Sequence, residues 1–365
     1  MKKTTHYYDF KNDIEAYPDC WCYLIIGGRN TGKTYSTLCY SLDENADFIY
    51  TKRTIEDVEL LCSGSGKVGT KNEFGFNISP FNPINNDRNI DIQAHQIKKG
   101  LGAFYQHDSE GAAYGTPIGY LLGLSAVSKY KGFDFSSYKK EQLLIFDEFI
   151  PQPWDRVNRK EGEQLMDLYK TISRGREHKN LNPLRLVCLA NATSISNPVM
   201  NVLEVTDIVA EMQAQNIEYI HLQDRGILIH LIVNTSEFDN VEKNSAIYKA
   251  MGNTAWGRMT FDNQFAYNDF SCIKRLKLKG YKPIISIRHK EKVYYLYQKN
   301  ENYYFSLSPN EKSISFYDLN TETDQRRFYR DYIFELQQAT IEHNMSYQEY
   351  TIYDLIMNYK QFFKM

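Results

Sequence analysis

The stretch Tyr23-Leu24-Ile25-Ile26-Gly27-Gly28-Arg29-Asn30-Thr31-Gly32-Lys33-Thr34 joins a short apolar run to a glycine-rich segment. Residues 27–34 fit the pattern G-x-x-x-x-G-K-[ST] in full. The apolar run predicts a buried strand and residues 33–42 predict a helix, so the pattern lies between the two elements that its chemistry requires. Glycines let backbone N–H groups converge on phosphate oxygens, and the N-terminus of the helix adds a positive dipole. The stretch therefore predicts a nucleotide phosphate site in an α/β fold.

The roles of single residues follow from the chemistry of such loops. Lys33 is expected to reach the β- and γ-phosphates of ATP, and the hydroxyl of Thr34 to bind Mg²⁺. The residues expected to contact the nucleotide are Gly27, Gly28, Arg29, Asn30, Thr31, Gly32, Lys33, Thr34 and Tyr35.

A second apolar run, residues 143–146, ends in the two acids Asp147 and Glu148. A buried strand would put Asp147 at the carboxyl edge of a sheet, where it would bind Mg²⁺ directly or hold one of its ligands. Glu148 can accept a proton from the attacking water or orient it, and the alternative is a solvated charge at a strand end. The chain contains no N-K-x-D stretch, which specifies guanine in GTPases. We therefore favour ATP hydrolysis by a P-loop ATPase of the additional-strand, catalytic-glutamate type.

Three further groups are candidates near the same edge. Asn191 follows the apolar run 186–190, where it would sense the γ-phosphate or its water or would serve as a turn residue. Arg174 follows an amphipathic stretch and would reach the phosphates of a neighbouring subunit or remain a solvated helix-end arginine. The same two interpretations apply to Lys129 and Lys131, which precede the acidic strand.

Alternation of apolar runs with helical stretches from residue 23 to about residue 190 predicts a parallel sheet covered on both faces. The 365 residues suggest two or three domains. We predict an ATPase domain at 1–200, a linker at 201–245 and an α+β domain at 246–365. Within these, residues 63–89 are predicted to be a loop or hairpin insertion, 161–172 a helix, and 325–364 a helix.

Composition limits the classes of protein that remain. An apolar fraction of 42% and a charged fraction of 24% are typical of globular proteins, and a net charge of −2 excludes a uniformly basic DNA-coating protein. No apolar run of about 18 residues and no signal peptide occur, so we expect a cytoplasmic protein with no membrane partner. The six cysteines lack zinc-ribbon spacing and are predicted to be reduced structural thiols.

Residues 274–292 form a concentrated basic segment in the second predicted domain, with Glu291 as its single acid. Contact with a nucleic-acid backbone without sequence reading fits this pattern best, and the alternative is a solvated hairpin face. The predicted nucleic-acid residues are Lys274, Arg275, Lys277, Lys279, Lys282, Arg288 and Lys290, and Lys292 completes the run.

Taken together, these motifs resemble the DNA-packaging (genome encapsidation) ATPases of phi-29-like tailed phages. The resemblance runs nearly end to end, and it is most specific at three stretches, Arg174–Glu177, Cys188–Ala192 and Asp262–Phe265. The other stretches that carry it are 7–10, 27–34, 48–53, 144–150 and 197–198.

The resemblance implies a ring motor, as a homopentamer, on the portal vertex of an empty capsid of an infected host cell. Such a motor translocates double-stranded phage DNA inward using ATP, and a prohead RNA is a partner in the type member. The second domain would be a reduced RNase H-like fold, kept for docking and DNA contact without cutting. The implied roles are hydrolysis in cis by Lys33, Thr34, Asp147 and Glu148, an arginine finger at Arg174, and a cationic trans residue at Lys131.

Two other functions remain open at the level of sequence. A terminase-type enzyme with an active nuclease needs clustered acids that bind two metals, and Asp262, Asp269, Asp318 and Asp324 are available without a clear spacing signature. A small-molecule kinase or a nucleotide-gated interaction module would also carry the phosphate loop, although Glu148 favours attack by water.

Overall fold

A computed structural model describes residues 7–63, 78–130, 132–135, 137–152, 155, 157–232, 244–254, 257, 265, 268, 270–310 and 314–363. The chain divides into two compact units. The first comprises Met1–Leu203 and Glu211–Tyr267, and the second comprises Glu204–Ala210 and Asn268–Met365.

The described part of the first unit is built on one mixed sheet, in the order β3-β4-β5-β2-β6-β7-β1-β9-β8. Six neighbouring strands run parallel: β5, β2, β6, β7, β1 and β9. The strands β3, β4 and β8 pair antiparallel at the two edges of the sheet. The strands are β1 (Cys22–Ile26), β2 (Asp47–Lys52), β3 (Ile92–Lys98), β4 (Leu101–His107), β5 (Ala113–Gly123), β6 (Gln142–Asp147), β7 (Arg185–Ala190), β8 (Tyr219–Leu222) and β9 (Ile227–Leu231).

Helices and single turns connect these strands. The helices up to residue 251 are α1 (Phe10–Ala16), α2 (Lys33–Asp43), α3 (Ile55–Cys62), α4 (Asn82–Arg88), α5 (Glu161–Ile172), α6 (Pro198–Val202), α7 (Thr206–Gln215) and α8 (Ala246–Met251). Short 3₁₀ segments lie at Leu124–Tyr130, Glu177–Lys179 and Gln223–Arg225.

The central strands are buried on both faces, as their unbroken apolar runs predict. All five residues of β1 and the first five of β6 are buried, and only Asp147 at the end of β6 is partly exposed. The strand ends therefore carry polar groups out of an apolar sheet, and this places the candidate site at the carboxyl edge.

The prediction of a linker at 201–245 is wrong for the described part of that segment. Residues Tyr219–Leu222 and Ile227–Leu231 form a hairpin, and β9 pairs in parallel with β1, with Leu24 opposite Ile229. The sequence signal was mixed because β8 is a half-exposed edge strand, whereas β9 is buried by its neighbour.

The predicted insertion at 63–89 contains a helix. Residues 64–77 lie outside the described residues, but α4 begins with a proline in its first turn and ends at Asn89 in a left-handed conformation, with φ 51°. Proline is compatible with a helix start and asparagine with such an end, so the same residues that suggested a loop also fit a short helix.

The second unit has its own sheet, in the order β13-β10-β11-β12-β14. Strands β10, β11 and β12 form an antiparallel meander, while β13 runs parallel to β10 and β14 runs parallel to β12. The strands are β10 (Lys282–His289), β11 (Lys292–Lys299), β12 (Asn302–Ser306), β13 (Ser315–Asp318) and β14 (Met345–Tyr347).

The predicted helix at 325–364 is interrupted. It consists of α9 (Glu322–Phe328), a π-helical turn (Tyr329–Ile333) and α10 (Phe334–Ile341), followed by β14, α11 (Tyr350–Met357) and α12 (Tyr359–Phe363). His343, with φ 61°, turns the chain out of α10. The three residues of β14 then pair with β12, a contact that helical periodicity does not encode.

All six cysteines are buried and free, which agrees with the prediction of structural thiols. Among the residues that the structure describes, no helix is both long and apolar enough to cross a membrane.

Candidate functional site

The loop of residues 27–32 connects β1 to α2 and folds back on itself. The Thr31 hydroxyl donates to the Gly28 carbonyl at 3.1 Å, and the Tyr8 amide donates to the Thr31 carbonyl at 3.0 Å. Gly32 has φ 86°, a left-handed conformation that favours glycine, and it directly precedes the first residue of α2. A Cβ at Gly27 would lie 2.8 Å from Cβ of Ile232, so this glycine lets the loop pack against the chain that follows β9.

Lys33 is the first residue of α2, and its side chain returns into the loop. Its ammonium donates to the carbonyls of Gly28 at 2.6 Å and Gly27 at 3.2 Å, and to the Thr31 hydroxyl at 3.1 Å. Burial lowers the pKa of Lys33 to about 8, and the charge of Asp147 opposes that change in part. The loop therefore holds a cation among neutral oxygens, a position where an anion would be the better partner.

Asp147 ends β6 beside α2 and β2. The Thr34 hydroxyl donates to its Oδ1 at 3.2 Å, the Lys52 ammonium lies 3.0 Å from its Oδ2, and the Tyr50 hydroxyl also donates to Oδ2. Burial disfavours the ionised carboxyl, but Lys52 and the hydrogen bonds outweigh it and lower the pKa of Asp147. The carboxylate and the Thr34 hydroxyl are hard oxygen ligands, which suits Mg²⁺ bound by few protein groups plus phosphates.

Glu148 follows in a left-handed conformation, with φ 61°. Its side chain is 57% exposed, and Lys52 Nζ lies 3.0 Å from Oε2. The carbonyl of Glu148 accepts from Arg53 at 2.9 Å, and the amide of Phe149 donates to the Leu189 carbonyl at 3.1 Å. The backbone of the turn is fastened on both sides, while the carboxylate remains open to solvent.

Asn191 directly follows β7, which lies between β1 and β6. Its Oδ1 accepts from the Lys33 ammonium at 3.4 Å. The fold therefore brings Lys33, Thr34, Asp147 and Asn191 together, as the shared sheet edge predicted.

Two of the residues predicted to contact the nucleotide form no side-chain hydrogen bond with the other described residues of the site. Arg29 is exposed on the loop. The Tyr35 hydroxyl donates to Oδ2 of Asp87 at 2.9 Å, so its polar end is bound to α4.

Sequence reasoning missed the role of β2. Lys52 lies 3.0 Å from both Asp147 and Glu148, and the neighbouring Arg53 pairs with the buried Glu161 at 2.8 Å. Since β2 lies beside β6, two consecutive basic residues after an apolar strand were the available signal.

The two arginines after α5 have opposite environments. Arg174 is exposed, and Arg176 is 2% exposed. Lys129 is exposed in a 3₁₀ segment, and Lys131 lies outside the described residues.

The basic segment does not form one patch, which corrects the prediction of a single concentrated site. Lys282 begins β10, and Arg288 and Lys290 lie at the other end of that strand, roughly 20 Å away at ~3.3 Å per residue. Arg288 lies 3.7 Å from Asp318, and Lys292 pairs with Asp207 and Glu349. The exposed cations that precede or begin β10 are Lys274, Arg275, Lys277, Lys279 and Lys282.

The acids considered for a nuclease have structural contacts where they are described. Asp324 Oδ2 accepts from the Asp318 amide at 2.8 Å. Asp262 and Asp269 lie outside the described residues. In the described ranges, no group of three or more His, Cys, Asp or Glu side chains is arranged to hold a metal ion.

Comparison with known proteins gives consistent matches. Residues 91–363 match the family model described as Podovirus DNA encapsidation protein (Gp16). A DNA packaging protein of Bacillus phage B103 is 26% identical over 275 residues, which cover 73% of this chain and 71% of that protein. The DNA packaging protein of Bacillus phage phi29 is 24% identical over 249 residues, which cover 66% of this chain and 61% of that protein.

Two solved structures have a similar fold along nearly the whole chain. A chain of the bacteriophage Phi-29 viral genome packaging motor assembly gives a TM-score of 0.63 at 19% identity, covering 98% of this chain and 99% of that chain. The Phi-28 gp11 DNA packaging motor gives a TM-score of 0.59 at 19% identity, covering 99% of both chains.

Proposed function

Since residues 91–363 match its model, this chain belongs to the Podovirus DNA encapsidation protein (Gp16) family, and we propose that it is an ATP-hydrolysing motor that moves double-stranded phage DNA into an empty capsid. It would work on the procapsid vertex in the infected cell, as a homo-oligomeric ring, most simply a pentamer. The capsid portal and a prohead RNA are its proposed partners besides DNA.

The observation that carries the ATPase proposal is the convergence of Lys33, Thr34, Asp147 and Glu148 at one sheet edge. Strand β7 lies between the strand that precedes the loop and the strand that ends in Asp147. This order supports the additional-strand, catalytic-glutamate class of P-loop ATPase.

The residues of the site fit ATP and Mg²⁺ by their chemistry. Bound MgATP would supply the γ-phosphoryl group and a metal charge that stabilises its transfer. The buried ammonium of Lys33 supplies a positive charge to phosphate oxygens, and the oxygens of Thr34 and Asp147, 3.2 Å apart, would hold the metal. The Asn191 amide, within 3.4 Å of Lys33, would sense the γ-phosphate.

Glu148 is the proposed base for the attacking water. Its exposed carboxylate can accept a proton, and its backbone is fixed by the bonds from Arg53 and to Leu189. Lys52 bridges Glu148 and Asp147, with its ammonium 3.0 Å from a carboxylate oxygen of each, so one cation holds the two side chains beside each other.

Arg174 is the proposed arginine finger of the ring, acting on the nucleotide of a neighbouring subunit. Its exposure supports this role, because a group that acts in trans must reach beyond its own subunit. Lys131 remains the proposed second cation in trans.

The second unit is proposed to be a reduced RNase H-like domain that contacts the DNA backbone. The antiparallel meander β10–β12 with β13 parallel to β10 supports that fold. Its exposed cations from Lys274 to Lys282 support backbone contact, and Lys299, whose Nζ lies 5.9 Å from the centre of the Tyr281 ring, adds a charge at the same end.

The ATPase proposal is tested by hydrolysis assays of the assembled protein with and without duplex DNA. We expect DNA to stimulate turnover, and Glu148→Gln to lower it about 10²–10⁴-fold while nucleotide binding persists. The matched control is Glu163→Gln, an exposed glutamate on α5, which should keep its turnover. Full turnover of Glu148→Gln, or indifference to duplex DNA, would contradict the proposal.

The DNA contact is tested by the salt dependence of binding. Replacing Lys274, Lys277 and Lys279 by alanine should reduce the slope of log K against log salt by about 2–3 units, at ~0.9 per lost phosphate contact. The double variant Arg288→Ala/Lys290→Ala is the control from the opposite end of β10 and should leave the slope unchanged. Equal effects of the two variants would refute this assignment.

A further inference from the structure

Arg176 is a buried arginine whose guanidinium is saturated with hydrogen bonds. It is 2% exposed, and each of its five N–H groups has an acceptor within the first unit. The acceptors are the carbonyls of Asn182 (2.9 Å), Ser137 (3.2 Å), Lys139 (3.1 Å) and Lys140 (3.0 Å) and the side-chain oxygen of Gln142 (3.0 Å).

Three of these bonds fasten the turn of residues 173–182, which follows α5, to the loop of residues 137–140, and the bond to Gln142 fastens it to β6. Within the turn, the Arg176 amide donates to the Ser173 carbonyl at 3.2 Å, and the Leu181 amide donates to the Arg176 carbonyl at 3.1 Å. The turn is thus closed on itself by backbone bonds. It is held to the neighbouring loop by the three bonds of Arg176 and by Lys179, whose ammonium lies 4.2 Å from the centre of the Tyr138 ring.

Arg174 lies in the same turn and has the opposite exposure. It is separated from Arg176 by Gly175, which has φ 69° and around whose missing Cβ no atom lies within 4 Å. No described residue accepts a hydrogen bond from Arg174 or forms an ion pair with it. The turn therefore presents one arginine outward while the other is fixed inside.

The fixed arginine is also connected to the strand that carries the acids. Gln142 is the first residue of β6, and Asp147 is its last. A strand is a stiff element, so the bond from Arg176 to Gln142 relates the position of the turn to the position of Asp147 and Glu148.

We propose that Arg176 is a positioning residue, which fixes the turn so that Arg174 is presented at a defined place to the neighbouring subunit. The inference rests on the proposed function of Arg174 in trans. A long exposed arginine stabilises developing charge only if its backbone is held, because a displacement of ~1 Å can cost 10²-fold in rate. Lysine cannot replace Arg176, since a single ammonium lacks the planar fork that reaches five acceptors.

The test mixes subunits that carry different defects. Arg176→Lys rings should lose about 10–100-fold in turnover, with unchanged nucleotide affinity of the subunits. Adding an excess of Glu148→Gln subunits should restore turnover above that of either variant alone, because these subunits cannot hydrolyse in cis but present an intact Arg174 to the Arg176→Lys site. Arg174→Ala subunits are the control and should be rescued in the same way.

Three outcomes separate the possibilities. Rescue of Arg174→Ala without rescue of Arg176→Lys would overturn the positioning role, because the Arg176 defect would then lie in its own subunit. Normal turnover of Arg174→Ala rings would overturn the finger assignment itself. Should Arg176→Lys fail to fold, Gln142→Leu removes one acceptor of Arg176, together with the bond that the Gln142 amide donates to the Phe135 carbonyl at 2.8 Å. It should show a smaller loss of turnover that the same mixture rescues; a loss without rescue would overturn the proposal.

Discussion

Replacing Lys33 by methionine should change how the stability of the first unit depends on pH. The ammonium is buried in the loop of residues 27–32, where burial lowers its pKa from 10.5 to about 8. In the unfolded chain the amine returns to the ordinary value. Methionine has a similar length and carries no charge, so Lys33→Met removes this titration and leaves most of the volume.

The sign follows from which state binds the proton more tightly. Between about pH 8 and pH 10.5 the unfolded chain keeps the Lys33 proton and the folded chain releases it, so the wild type gains stability as the pH rises. With 1.36 kcal/mol for each pKa unit, the gain between pH 7 and pH 10 is about 2.5 kcal/mol. Lys33→Met has no such gain with pH. It also loses the hydrogen bonds to Gly27 and Gly28, but that loss is the same at every pH.

The measurement is urea unfolding of wild type and variant, followed by circular dichroism from pH 7 to pH 10. The free energy of unfolding of the wild type minus that of Lys33→Met should grow by about 2.5 kcal/mol over this range. Lys98→Met, at the exposed end of β3, is the matched control and should show a constant difference. A constant difference for Lys33→Met as well would refute the burial argument.

Three further perturbations test other parts of the same site. Lys52→Met removes the cation that lowers the pKa of Asp147, so the acid limb of the pH profile of kcat/KM should move to higher pH; an unmoved limb would show that Lys52 does not control this carboxyl. Arg53→Met leaves the carboxylate of Glu161 buried without its arginine and should lower the free energy of unfolding in urea by roughly 3–5 kcal/mol. Adding Glu161→Gln should restore most of that loss, and a double variant as unstable as Arg53→Met alone would contradict this. Gly32→Ala places a Cβ on a residue with φ 86°, so it should lower the free energy of unfolding by about 1–2 kcal/mol and should weaken nucleotide binding. Unchanged unfolding and unchanged nucleotide binding in calorimetry would exclude a role for that conformation.

Several features were predictable because their signals are local. The loop of residues 27–34 is contiguous, and its flanking strand and helix follow from the apolar pattern within a few residues. The end of β6 at Asp147 follows equally from the step between apolar and acidic residues. The left-handed conformation of Glu148 was not predictable, because it depends on bonds from Arg53 and to Leu189, which are distant in the chain.

Contacts between separate segments were decided by the tertiary structure. Lys52 and Arg53 contact the acids because β2 pairs with β6, and the sequence of neither strand determines which strand it pairs with. The basic segment is divided because β10 extends its residues to opposite ends of a strand, although their charges are adjacent in sequence.

The sequence by itself determined which residues supply the phosphate loop and the acidic strand, since chemistry and periodicity there depend only on near neighbours. The tertiary structure alone decided which of two arginines, two positions apart, lies inside. Arg176 is buried because carbonyls from residues 137–140 and 182 surround it, and Arg174 is exposed because the left-handed Gly175 lies between them. Burial depends on the chain segments that surround a residue, so two identical side chains close together in the sequence can differ in it.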